Sequence, residues 1–205
     1  MIKYISHTFV AMFVIVLAGS SVVYSQTAPD KIAFADVKIK NFGQMDERFY
    51  RGAQPKQMDY WTLKNLGIVT VIDLKDDPEP YAKQTVEALG MKYVHIPIVG
   101  KSYPTPEHVS TFMKTVDDPA TGKFFVHCAG GRHRTGNMGA IYRYEKYGWG
   151  FDKVYEEMKN FDFYSSWGHG KQKDFVEDYA VIYEKKRMGS GDAAAAGAVS
   201  APEAK

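Results

Sequence analysis

Residues 123 to 136 read Lys123-Phe124-Phe125-Val126-His127-Cys128-Ala129-Gly130-Gly131-Arg132-His133-Arg134-Thr135-Gly136. The run from Lys123 to Cys128 has the aromatic and β-branched content of a short buried strand. Two glycines follow, and from Thr135 onward the pattern is helical. Cys128 therefore stands where a strand ends, with five residues between it and Arg134. A loop of this kind can curl so that successive backbone N–H groups point inward, and the helix start adds its positive dipole end. Ala129, Gly130, Gly131, Arg132 and His133 would then cradle a phosphoryl group. Arg134 adds a planar fork suited to two phosphate oxygens. The same field favours thiolate over thiol at Cys128 and places it for in-line attack. A glycine-rich turn that merely caps a helix accounts for the glycines. It does not account for Cys, Arg and Thr at fixed offsets.

Outward from this stretch, strands alternate with helices. Val69 to Leu74 and Tyr93 to Ile98 are two more strand-like runs, and Pro80–Leu89 and Pro106–Val116 can hold the helices that join them. Gln57–Leu66 is an expected helix before the first of these strands, closed by Gly67, with Trp61 and Leu66 expected to pack it onto the sheet. Thr135–Tyr147, Phe151–Met158 and Lys171–Lys186 predict a helical C-terminal half. Strand, helix, strand at this spacing implies parallel strands with right-handed crossovers. The expected class is α/β, a central, mostly parallel sheet flanked by helices, with ligands at the carboxyl ends of the strands.

The chain has 205 residues, 45% hydrophobic and 24% charged, which suits one domain with a single core. Lys and Arg total 26 against 24 Asp and Glu, a balance that gives no case for a nucleic-acid partner. Lys3 followed by the apolar run Phe9 to Ala18 reads as a secretory signal cleaved after Ser25. The run is shorter than the roughly 20 residues of a spanning helix. The expectations are a signal at 1–25, a linker at 26–35, a folded domain at 36–188 and a disordered Ala/Gly-rich tail at 189–205. The mature protein is expected to be exported, periplasmic or secreted, with no stable membrane anchor. Cys128 is the only cysteine, so no intramolecular disulfide can form.

His127, Cys128, Gly131, Arg134 and Thr135 match the His-Cys-x-x-Gly-x-x-Arg-Thr signature, and here the sequence resembles the protein tyrosine and dual-specificity phosphatases. The resemblance implies the phosphatase-type Cys-x5-Arg loop and a phosphocysteine intermediate at Cys128. It also implies that His127 helps set the thiolate and that the Thr135 hydroxyl assists Cys128 as leaving group. Asn41-Phe42-Gly43, Phe49 to Pro55, Gly67 to Leu74 and the pair Arg132-His133 resemble the plant and fungal atypical dual-specificity phosphatases and their bacterial relatives. That group implies phosphorylated substrates, protein phosphotyrosine or inositol phosphates and pyrophosphates, and no cofactor.

One feature departs from that pattern. Most such phosphatases carry an Asp general acid about thirty residues before the Cys. Here the loop is Val99-Gly100-Lys101-Ser102-Tyr103-Pro104, without a carboxylate. Asp76, Asp77 and Glu79 follow the Val69–Leu74 strand and are candidates, with solvent-facing charge at a helix start as their plainer reading. His133 is a further candidate, or a phosphate ligand. The remaining histidines lack metal-ligand spacing, so no metal is expected. Phe161, Phe163, Tyr164 and Trp167 line a pocket edge or are simply buried. Arg51 orders the sheet near the loop or makes a structural salt bridge. Beside an active phosphatase stand two rivals, a phosphoryl-binding module without turnover and a sulfurtransferase.

Overall fold

The computed structural model describes residues 36 to 189. The expected signal and linker, and all of the expected tail beyond 189, lie outside these residues. Five strands form one sheet: β1 (Gly43–Gln44), β2 (Phe49–Ala53), β3 (Thr70–Lys75), β4 (Lys92–Ile98) and β5 (Phe124–Cys128), in the order β1-β2-β5-β3-β4. β1 pairs antiparallel with β2, and every other pairing is parallel. Among the described residues six α-helices cover the sheet: α1 (Asp59–Asn65), α2 (Ala82–Ala88), α3 (Pro106–Asp117), α4 (His133–Tyr147), α5 (Phe151–Asn160) and α6 (Gly170–Gly189). The class read from the sequence is the one observed.

Alternation along β5 sends its side chains to two cores. Phe124, Val126 and Cys128 join Ile72, Leu74, Ile98, Phe112 and Met138 on the face covered by α3, α4, α5 and α6. Phe125 turns to the other face, with Tyr60, Leu63, Val71, Ala82 and Val86 from α1, β3 and α2. His127, stacked on Phe125 with ring centroids 5.7 Å apart, shares that second face. The ring of His127 and the sulfur of Cys128 therefore lie on opposite sides of the sheet.

One expectation about an element needs correction, and one strand had no expectation. Trp61 does not pack α1 onto the sheet: it is 54% exposed, and Tyr60 and Leu63 are the buried residues. The segment Phe49–Ala53 is a strand, β2, inserted beside β5 and buried at all five positions. Its Arg and Gly hide the strand in a reading based on apolar alternation.

Candidate active site

β5 ends at Cys128 and α4 begins at His133, so the loop from Ala129 to Arg132 spans the carboxyl edge of the sheet. Three successive carbonyls of this loop are held from behind. Gln54 N–H donates to Ala129 O at 3.3 Å. Asn41 Nδ2 donates to Gly130 O at 2.8 Å, and Arg51 Nη2 donates to Gly131 O at 2.8 Å. Asn41 reaches the loop from a left-handed conformation, φ 51°, which Asn tolerates better than most residues. All peptides among the described residues are trans, and in a trans peptide the C=O and N–H point to opposite sides. With the carbonyls of residues 129, 130 and 131 turned back, the N–H groups of Gly130, Gly131 and Arg132 face the other way.

Gly131 is required on two counts. Its φ is +67°, and a Cβ there would lie 2.4 Å from Gly52 C and 2.5 Å from Ala53 N. The loop thus rests directly on the backbone of β2. The first turn of α4 has no side-chain cap at Arg132, which leaves its N–H groups for an anion.

Cys128 is 3% exposed. Burial opposes its ionisation, yet the thiol is held below its ordinary pKa. The Thr135 hydroxyl and N–H, the Arg134 charge and the Gly131 N–H favour the thiolate, in that order. The Thr135 oxygen is fully buried and has no partner of standard hydrogen-bond geometry, so its influence falls on the neighbouring sulfur. His127 is a different case. Burial pushes its ring down to about 4, against the pull of the Asp73 carboxylate, which stands 3.7 Å away. The ring is neutral at physiological pH and turned away from the Cys128 sulfur, although the Cys128 backbone pulls its pKa up.

Arg134 crosses the carboxyl ends of β3 and β4. Its Nη1 donates to Asp76 Oδ1 at 2.7 Å, Ile98 O at 2.8 Å and Leu74 O at 3.4 Å. All of its hydrogen bonds among the described residues run through that one nitrogen, so the Nε–Nη2 edge is left for a ligand.

The general-acid candidates separate. Asp76 is neither a helix-start charge nor a free acid, since α2 begins only at Ala82. Its Oδ1 takes the Arg134 proton donor and its Oδ2 accepts from Gly100 N–H at 3.4 Å. Partial desolvation would raise its pKa, but the Arg134 contact together with the Asp76 and Gly100 N–H groups outweighs this and the carboxyl titrates below its ordinary value. Asp77 is exposed, and Glu79 pairs with Lys75 at 2.8 Å. His133 donates from Nε2 to Tyr164 O at 2.9 Å and stacks on His169 at 3.6 Å. Burial, with the adjacent His169, pushes its pKa down to about 4. Arg132 stays partly exposed, 3.9 Å from Asp162, and Lys101 Nζ donates to Trp167 O at 2.8 Å.

The aromatic stretch serves two purposes. Phe163 is buried and Trp167 is 85% exposed, while Phe161 packs on Arg51 and Tyr164 on His133. The sequence reading missed Asn41 and Gln54 as loop holders. Their one signal was that both fall in the segments that resemble the atypical phosphatases.

Comparison with known proteins gives the family. The family model described as "DSP-PTPase phosphatase fused to NAD+ Kinase" matches residues 21–178. OCA1 of Mycosarcoma maydis, which carries a tyrosine-protein phosphatase name, is 30% identical over 126 residues, covering 59% of this chain and 79% of that protein. Inositol diphosphatase DSP3 of Arabidopsis thaliana is 30% identical over 152 residues, covering 69% and 71%. Among solved structures, P. aeruginosa TpbA in complex with pTyr superposes with a TM-score of 0.62 at 21% identity, covering 81% of this chain and 99% of that one, a likeness of fold. With most of its length matched by that family, the chain belongs to the cysteine-dependent dual-specificity and tyrosine phosphatases and is a hydrolase of that class.

Proposed function

We propose that the protein hydrolyses aryl phosphates of the phosphotyrosine kind and phosphoanhydrides of the inositol pyrophosphate kind through a phosphocysteine at Cys128. The observation that carries the reading is the backward-held trio of carbonyls at Ala129, Gly130 and Gly131, which leaves N–H groups facing a buried thiol whose ionisation is favoured. The Cys128 thiolate attacks phosphorus, and the bond from phosphorus to the leaving oxygen breaks. The free edge of Arg134 and the loop N–H groups hold the phosphoryl oxygens as charge spreads over them. Water then attacks the phosphocysteine, the P–S bond breaks, and inorganic phosphate departs. The Thr135 hydroxyl favours the thiolate that returns. His127, neutral and on the far face, supports the strand end rather than the charge.

The substrate range draws on the relatives: DSP3 is named an inositol diphosphatase and TpbA was solved with pTyr. It also draws on the positive charge of Arg132 within the loop. The test is phosphate release from a small aryl phosphate and from an inositol pyrophosphate, by the wild-type protein and by Cys128→Ser. Turnover is expected with the first protein only. Appreciable turnover by Cys128→Ser would overturn the covalent mechanism. Thiocyanate formation from thiosulfate and cyanide, without phosphate release, would overturn the substrate class.

A further inference from the structure

Arg51 is 1% exposed in the middle of β2, and no ion pair among the described residues includes it. Nη2 donates to Gly131 O at 2.8 Å and Nε has no partner. The guanidinium lies 4.0 Å from the ring centre of Phe161. Phe161 in turn is seated on Gly43, where a Cβ would come within 2.3 Å of the ring. On the other side Gly136 and Gly139 of α4 leave the space Arg51 crosses: a Cβ at Gly139 would stand 3.6 Å from Nη1, and one at Gly136 3.9 Å from Nη2.

Burying a guanidinium without an anion is strongly unfavourable. The charged and titratable groups around it are few. Glu157 of α5 is engaged by Arg143 of α4, with Arg143 Nη2 2.5 Å and Nε 2.9 Å from its oxygens. Arg134 carries the same sign as Arg51. His127 is on the opposite face of the sheet. Beside Glu157, the anion near it is the Cys128 thiolate, on the same face of the sheet two positions beyond Val126, the β5 partner of Arg51. Burial lowers the Arg51 pKa to about 10, so the group is charged at neutral pH; Glu157 and Cys128 favour that charge and Arg143 opposes it.

We propose that Arg51 is a positioning residue for the reaction: it holds the Gly131 peptide from behind and is the second, buried positive charge that keeps Cys128 ionised, opposite Arg134 on the substrate side. The inference rests on the reading of Cys128 as a thiolate nucleophile. It assigns to a cation on the neighbouring strand the part in setting the thiolate that the resemblance gave to His127. Arg134 must release and rebind phosphoryl oxygens in each cycle, whereas Arg51 touches no substrate and its field is constant.

The experiment compares Arg51→Gln, which keeps an amide donor but removes the charge, with Arg51→Lys, which keeps the charge. The rate of iodoacetamide inactivation is followed against pH for each purified protein, with circular dichroism to confirm folding and vanadate protection to confirm the site. Wild type is expected to titrate well below the ordinary thiol value and to be protected. The Gln variant should titrate about one unit higher, giving roughly tenfold slower alkylation at a pH below both midpoints. The Lys variant should stay near wild type. A folded Gln variant on the wild-type curve overturns the inference and leaves the proposed function standing. If the Gln protein does not fold, the Lys variant decides: a curve displaced to the free-thiol value overturns the charge account. A residue that only supports the fold would lower the melting temperature without moving the thiol midpoint. An unprotected wild-type thiol with an ordinary midpoint would sink the proposed function and this inference together.

Discussion

Asp76 Oδ1 and Arg134 Nη1 meet at 2.7 Å, and the second oxygen of the same carboxylate accepts from Gly100 N–H at 3.4 Å. One side chain thus ties Arg134 to the loop after β4. The contact fixes one edge of the guanidinium and so aims the other. Asp76→Ala should therefore reduce kcat/KM roughly 10- to 100-fold, the order seen when a reacting group is slightly misplaced. The drop should be joined by weaker inhibition by phosphate, since the same edge binds the ground state. Wild-type values of both in the variant would show that Asp76 does not position Arg134.

Arg134→Lys should lose most activity although the charge is retained. A lysine is a point charge and cannot both hold Ile98 O and Asp76 and offer a two-pronged edge to phosphate. A loss of about 10²-fold or more in kcat is expected, the usual effect of removing one transition-state donor. Steady-state kinetics on an aryl phosphate measure it, and a near-wild-type kcat would remove Arg134 from the role.

Gly131→Ala tests the seat of the loop on β2. The new Cβ would stand 2.4 Å from Gly52 C in a backbone conformation of φ +67°. The left-handed conformation alone costs about 1–2 kcal/mol for a residue with a Cβ, and the clash forces the loop off β2. The Arg51 and Asn41 contacts should then be lost together. Vanadate affinity and turnover should both collapse while the circular dichroism stays that of a folded α/β protein. Retained vanadate binding would show that the loop does not depend on that close approach.

Much of the fold was legible because its signals are local. β3, β4 and β5 carry β-branched and aromatic runs, and Thr105-Pro106 announces α3 with a capping side chain and a proline in the first turn. Cys128, Gly131, Arg134 and Thr135 were legible because the spacing within one strand–loop–helix unit fixes their geometry. What was hidden lies between elements far apart in sequence. Arg51 reads equally as a residue that orders the sheet and as half of a structural salt bridge until β5 is placed beside β2 and α4 above it. Asn41 and Gln54 hold a loop more than seventy residues away. The partner of Asp76 is fixed only by how the ends of β3, β4 and β5 are brought together.

The two buried histidines predict a pH window for stability. His127 and His133 have pKa values pushed down to about 4, each chiefly by burial, while the unfolded chain titrates near the ordinary histidine value of about 6.5. Between those values the unfolded state binds more protons, so stability falls as pH falls, and the loss is complete below about 4. For a fully buried ring such as His127 the full shift is on the order of 3 kcal/mol. The lowered carboxyls of Asp46 and Asp76 act in a separate window, below the ordinary carboxylate value. Melting temperature should hold steady above pH 6.5 and decline toward pH 4. His127→Asn should flatten that decline. An equally steep decline in the variant would remove His127 as its source.

The last prediction concerns the proton for the leaving group. An alcohol that departs from phosphorus develops negative charge on oxygen, and a general acid typically contributes about 10²- to 10⁴-fold to such a step. The loop after β4 offers Lys101 in place of a carboxylate, and Lys101 is engaged by the Trp167 carbonyl. Asp76 is near the site but is held in its ionised form by Arg134, which is the wrong state for donating a proton near neutral pH. Asp77 is exposed, and His133 is neutral, with its Nε2 proton directed to Tyr164 O. A leaving group that departs as a stable anion needs no such help, which favours phosphoanhydrides and activated aryl esters over phosphoserine. Across aryl phosphates of graded leaving-group pKa, kcat/KM should fall steeply as that pKa rises. Asp76→Asn should lower the whole series through Arg134 and leave the slope unchanged, and Asp77→Asn should change neither. A shallow series that steepens in one of these variants would identify that carboxylate as the acid. A shallow series that steepens in neither would mean that a group other than these carboxylates, or a bound water, supplies the proton.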